Sequence, residues 1–222
     1  MSGLAYRRVA GGREPVRDVV WARDGEPASA WRSRGATVGR FALPAEAAAR
    51  VRDAIVAART AAPPEGPSTL PSDRLAEYVT LDDASMAVDA GAQVPGAWGE
   101  LLAACRAAVD APGEPVAAVT LVPEPPARVR LEHRGSAPLE LGFGALSVAI
   151  RWAQDGAETG YASTRLNGGV VAAAPGWTET LELEPQLIAM PAGQAVATAS
   201  FSIRDEGVWI PVSLEVRLPA RG

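Results

Sequence analysis

Apolar residues recur along this chain with two periods. Near the start the period is two: Leu4–Ala10, Val16–Ala22 and Ala28–Arg34 read as strands. Gly11-Gly12 and an Asp24-Gly25 turn separate them. The period then lengthens. After Leu43-Pro44 a helix is predicted, with the proline in its first turn, where a missing N–H leaves nothing unsatisfied. Ala47, Val51, Ile55 and Ala58 share one helical face, and Glu46 and Arg59 sit at the ends the dipole prefers. A Pro- and Ser-containing loop, Ala61–Asp73, precedes two more strands, RLAEYVTL and MAVDAG, joined by DDAS. A second helix starts around Pro95, where Trp98, Leu101, Leu102, Cys105, Ala108 and Val109 form an apolar stripe. This order predicts a small α+β domain over residues 1–110, with two helices on one face of an antiparallel sheet.

Residues 111–126 are Pro-rich at both ends and read as a connection with a short strand, VAAVTLV, inside it. From 127 to 222 strand patterns recur between turn signals: ARVRLEHR, PLELGF, LSVAIRWA, YASTRL, WTETLELE, QAVATASFSI and VWIPVSLEVRL. Gly135, Asp155-Gly156, Asn167-Gly168, Pro191–Gly193 and Asp205–Gly207 mark the turns. That spacing suggests an immunoglobulin-like β-sandwich, without a disulfide. In the last strand Val208, Ile210, Val212, Leu214, Val216 and Leu218 alternate with Trp209, Pro211, Ser213, Glu215 and Arg217, one set for the core and one for solvent. Pro211 cannot donate to a ladder, so this strand is expected at an edge or at a bulge. Leu146, Val148, Ile150 and Trp152 make a second inward set. The expected fold is an α+β domain followed by an all-β immunoglobulin-like sandwich.

Composition narrows the chemistry. An apolar fraction of 48% is ample for a packed core, and a net charge of -5 with scattered basic residues gives no electrostatic footprint for nucleic acid. No signal-like or membrane-spanning apolar run is visible, so a cytoplasmic protein with no membrane partner is expected. All 21 basic residues are arginine, which excludes a Schiff-base or phosphate-loop lysine. Genomic base composition is the expected cause of this bias, with avoidance of lysine acylation or of a lysine-attached degradation tag as the alternative. Cys105 is the single cysteine and lies on the helical stripe, which points to an inert buried thiol.

Candidate catalytic groups are few. His133, the single histidine, shares the inward parity of Val129 and Leu131, and VRLEHRGSAPLEL (Val129–Leu141) reads as a hairpin. A hydrogen-bonded histidine at a sandwich rim is expected there, because one His supplies neither a metal set nor a triad by itself. Asp82, Asp83 and Asp89 lack calcium-loop spacing and read as hairpin-tip residues, as do Asp205 and Glu206. No catalytic residue, cofactor or metal is expected, and the chain is read as a non-enzyme. Aromatic and basic side chains suit binding better: Trp209, Arg217 and Trp177 are the candidates in the second half, with Trp31 dependent on register.

The first half resembles a known family. Arg8 followed by Gly11 and Gly12 ends the first strand, Leu43-Pro44 opens a helix, and a strand pair leads to a helix carrying Pro95, Trp98, Leu101 and Leu102. These features resemble the emfourins, small bacterial proteins related to inhibitors of thermolysin-like metalloproteases. The resemblance implies a rigid loop or edge strand that occupies a protease cleft; Arg8 is a further candidate contact. The leading expectation is a non-enzymatic protein-binding protein, such as an emfourin-type inhibitor. The alternative is a structural or adaptor module that binds partners through the second half near Trp209.

Overall fold

The computed structural model describes residues 3–10, 16–22, 28–64, 75–111, 113, 115–124, 128–143, 148–154, 157–164, 169–182, 194–205 and 207–217. Gly11-Gly12, Asp24-Gly25, most of the loop before residue 75, Leu146, Asp155-Gly156, Asn167-Gly168, Pro191–Gly193, Glu206 and Leu218 lie outside them.

The chain runs β1 (Leu4–Ala10), β2 (Val16–Ala22), β3 (Ser29–Arg34), β4 (Thr37–Ala42), α1 (Ala45–Thr60), β5 (Leu75–Leu81), β6 (Ala84–Asp89) and α2 (Gly96–Asp110). It continues through β7 (Pro115–Glu124), β8 (Arg128–Gly135), β9 (Leu139–Phe143), β10 (Val148–Gln154), β11 (Ala157–Thr164) and β12 (Gly169–Ala173). It ends with β13 (Thr178–Glu182), β14 (Gln194–Asp205) and β15 (Val208–Arg217).

Two sheets result among the described residues. One has nine strands in the order β13-β8-β7-β4-β3-β2-β1-β5-β6. The other has six, in the order β11-β10-β14-β9-β12, with β15 on β14. This corrects the expected fold class of an α+β domain followed by a separate immunoglobulin-like sandwich. Strands from both halves of the chain join in one sheet, so the halves are not sequential domains. The compact units are Met1–Arg32 with Arg40–Pro115, and Ser33–Gly39 with Val116–Gly222. The second therefore contains the tip of an N-terminal hairpin. The physical reason is the strand β4, which the sequence reading passed over. It gives β7 a partner that lies about eighty residues earlier in the chain.

In the first unit α1 and α2 share a core with Leu4, Tyr6, Val20, Val79 and Leu81. All six residues of the α2 stripe are buried. Cys105 is fully buried, and that burial pushes its thiol up, far from a reactive thiolate. Helix α1 buries Ala48, not Ala47, with Val51, Ile55 and Ala58. Three successive alanines, Ala47–Ala49, left its phase open. Pro44 is the N-cap residue, one step before the first turn. The β5–β6 turn places Asp82 at a left-handed φ of 54°. Its carboxylate accepts from Gly3 N at 2.9 Å and from Arg59 Nε and Nη2 at 2.9 and 3.1 Å. The acidic tip is thus a strut, and the Arg59 hydrogen bonds hold the Asp82 carboxyl below its usual range.

In the second unit the twelve-residue β14 is the spine. It pairs β15 along one side, and β10 and then β9 along the other. The predicted alternation holds on β15, with Ile210, Val212 and Leu214 buried and Trp209, Pro211, Glu215 and Arg217 exposed. The hairpin tip between β3 and β4 closes two places. Ala36 O accepts from Leu121 N of β7 at 2.7 Å, and Gly35 O accepts from Glu215 N of β15 at 2.9 Å. Ser33 Oγ reaches Ser213 O at 3.3 Å. The outer side of β15 is thus covered near its C-terminal end, while Pro211 removes a donor nearer its start. Val129–Leu141 is not a hairpin: β8 pairs with β7 and β13, whereas β9 pairs with β12 and β14. Gly135, at φ 112°, lets Ser136 N and Ala137 N turn back onto Val116 O, which sends the chain to the other sheet.

Candidate functional site

Two clusters of functional side chains emerge, one exposed and one buried. The exposed one lies on the outer face of the six-stranded sheet. Register aligns Ala172, Glu140, Arg204 and Trp209 across β12, β9, β14 and β15. The next row is Val170, Gly142, Ser202 and Pro211. Alternation turns both rows outward because Leu139, Leu141, Ile203, Ile210 and Val212 take the inward positions. Trp209 is 41% exposed and Val170 63%. A methyl added at Gly142 would stand 3.0 Å from the Trp209 ring, so the absence of a side chain there lets the indole lie against the sheet. The Arg204 guanidinium stacks 5.9 Å from the indole centroid and bonds Glu140 at 3.0 Å. Beside it opens a cavity of about 520 Å³ lined by Pro138, Leu139, Glu140, Ala172, Arg204 and Gly207.

The buried cluster closes one end of the first unit's core. Register brings Arg32, Asp18, Arg8 and Glu77 side by side on β3, β2, β1 and β5, with charges that alternate in sign. Glu77 is 1% exposed. It accepts from Tyr6 OH at 2.7 Å, Arg8 Nε at 3.3 Å, Arg106 Nε at 3.0 Å and Gly91 N at 3.3 Å. Burial alone would raise its carboxyl, but the hydrogen bonds of Arg106 and Tyr6, with the Arg106 charge, outweigh it and hold the group low. Burial and the Glu77 carboxylate push the Tyr6 hydroxyl far up, so it stays a donor. Arg8 also pairs with Asp18 at 3.2 Å. The charges satisfy one another, and Arg8 is committed inward.

The other candidates scatter. Arg217 is exposed and shares the outward parity of Trp209, but eight residues of strand, about 26 Å, separate them. Trp177 is half-buried ahead of β13, where its carbonyl accepts from His133 N at 2.8 Å. Trp31 is buried. His133 is inward and 3% exposed, yet neither ring nitrogen meets a hydrogen-bond partner among the described residues. The hydrogen-bonded imidazole expected there is not what the geometry gives. No group of three or more potential metal ligands forms among the described residues.

The sequence reading named Trp209 and did not name Glu140, Gly142, Val170 or Arg204. Alternation along PLELGF and SFSIR is the signal that could have marked Glu140 and Arg204, but only register shows that they share a row with Trp209. Glu77 and Asp18 were missed for the same reason.

Fold and register together place an exposed Trp–Arg–Glu row on the outer face of an antiparallel sheet. Comparison with family models, with curated proteins and with solved structures gives no match.

Proposed function

We propose that the protein is a non-enzymatic protein-binding module that contacts a partner, as a structural or adaptor component, through the sheet face around Trp209. The observation that carries this reading is the exposed indole laid across Gly142, with Arg204 stacked on it. Exposed Trp and Arg side by side are the residue types that dominate interface energetics. A large ring already immobilised against the sheet loses little freedom on binding.

The test uses the full chain, immobilised and exposed to lysate of the cell that makes it, followed by affinity measurement with each purified partner. Trp209→Ala is expected to weaken a genuine partner about thirtyfold, the effect of losing a hot-spot aromatic worth roughly 2 kcal/mol. Thermal unfolding of the variant should match the parent. Partners that all bind Trp209→Ala as tightly as the parent would overturn the reading. A metalloprotease held with one-to-one stoichiometry, regardless of Trp209, would favour inhibition of the emfourin type.

A further inference from the structure

We infer that the partner met by the Trp209 face is a second copy of this chain, docked about a two-fold axis. The inference rests on the binding role proposed above and names its occupant. An interface between identical copies must be complementary to itself. This face meets that condition. Glu140 and Arg204 stand opposite one another on adjacent strands, 3.0 Å apart, so the face carries no net charge although the chain carries -5. A strongly acidic or basic partner would find nothing to pair with. A copy turned through 180° brings its Arg204 to Glu140 and its Glu140 to Arg204, forming two new ion pairs with no unpaired charge. The same operation exchanges β12 with β15, so it lays Trp209 over the copy's Ala172 and Pro211 over the copy's Val170, all exposed apolar positions. Because the pair is already formed within one copy, docking extends an existing network and strips water from no isolated charge. The patch spans four strands and two rows, smaller than a standard stable interface, so the association is weak and concentration-dependent.

Charge reversal separates this arrangement from any other. In Glu140→Arg alone, each face presents two arginines, and in Arg204→Glu alone, two glutamates. Each single variant is expected to weaken dimerisation by at least about tenfold. An equimolar mixture of the two is expected to associate as a heterodimer, because every contact across the axis is then between opposite charges. The double variant should self-associate like the parent. Sedimentation equilibrium of full-length proteins gives the constants, native mass spectrometry of the size-tagged mixture identifies the heterodimer, and circular dichroism checks the fold of each variant.

A parent that stays monomeric at several hundred micromolar overturns the inference. So does a mixture that fails to associate while both singles are folded. If the parent is monomeric but Trp209→Ala loses a different partner, the binding reading stands and self-association falls. If the parent dimerises and Trp209→Ala dimerises equally well, the dimer uses another surface and the inference falls, while the binding reading is decided by the partner affinities above.

Discussion

Glu77 is a carboxylate kept almost wholly from water, and its neighbours determine what that does. Two arginines, a tyrosine and a backbone N–H converge on it. Removing its charge leaves Arg106 without its main partner under cover. Glu77→Gln should therefore destabilise the chain by about 3 kcal/mol at neutral pH, as loss of one member of a buried pair does. The folded-state carboxyl is held below its unfolded value, so its contribution is complete above about 4.3 and is lost as pH falls through the lower folded value. Urea unfolding of parent and variant between pH 7 and 3 should show the gap narrowing below about pH 4. A gap that stays constant would mean the charge is not the cause. His133 gives the opposite expectation. An imidazole buried without partners among the described residues gains nothing from its polarity there, so His133→Leu should hold or raise stability by about 1 kcal/mol. A marked loss in the same unfolding assay would reveal a partner the described residues do not supply. Burial of His133 was legible from parity. Its lack of partners was not, because parity fixes direction and says nothing of what is met there.

Single elements were read well where pattern and turn chemistry agreed. The α2 stripe and the alternation of β15 are examples, since each depends only on local spacing. Thr37–Ala42 was passed over because its glycine and alternating polar residues carry little apolar signal. The reason for Gly39 appears only in the sheet. A methyl there would stand 2.8 Å from Ala118 Cβ and 3.0 Å from Ala117 O. Gly39→Ala should push β4 from β7 and destabilise the chain by about 2 kcal/mol through overpacking. Thermal unfolding of the full chain measures this. An unchanged midpoint would show that the two strands can part at no penalty. Gly35, by contrast, has open space around it and needs its left-handed φ of 55° for the turn. Two glycines four residues apart thus serve different ends, which composition could not distinguish. Gly169–Ala173 was passed over as well. Its burial pattern is mostly exposed, and strands are recognised by the face they bury.

The arrangement of the whole chain was the least legible, because periodicity describes each strand and leaves open which strands pair. A compact unit built from two separate stretches changes what can be cut from the chain. A Pro-rich stretch near residue 112 looks like a place to divide it, yet Val116–Gly222 alone lacks the tip Ser33–Gly39 that belongs to the same compact unit. Without that tip Leu121 N loses Ala36 O, Glu215 N loses Gly35 O, and Thr120 loses the hydroxyl of Thr37 at 3.1 Å. The side of β7 that β4 covered would then stand open beside Ala117–Val119, which are all buried. An open apolar edge pairs with other chains. The fragment Val116–Gly222 should therefore aggregate or elute as a broad oligomer on size exclusion, with weak near-ultraviolet dichroism. Fusing Ser29–Ala42 to its start through a flexible linker should restore a discrete species with ordered aromatic signal. The linker must span the gap without strain, so several lengths are compared. A fragment that is discrete and ordered without the hairpin would show that β7 and β15 do not need it. The rescue is the sharper comparison, because general fragility of a truncated chain would not be repaired by fourteen particular residues.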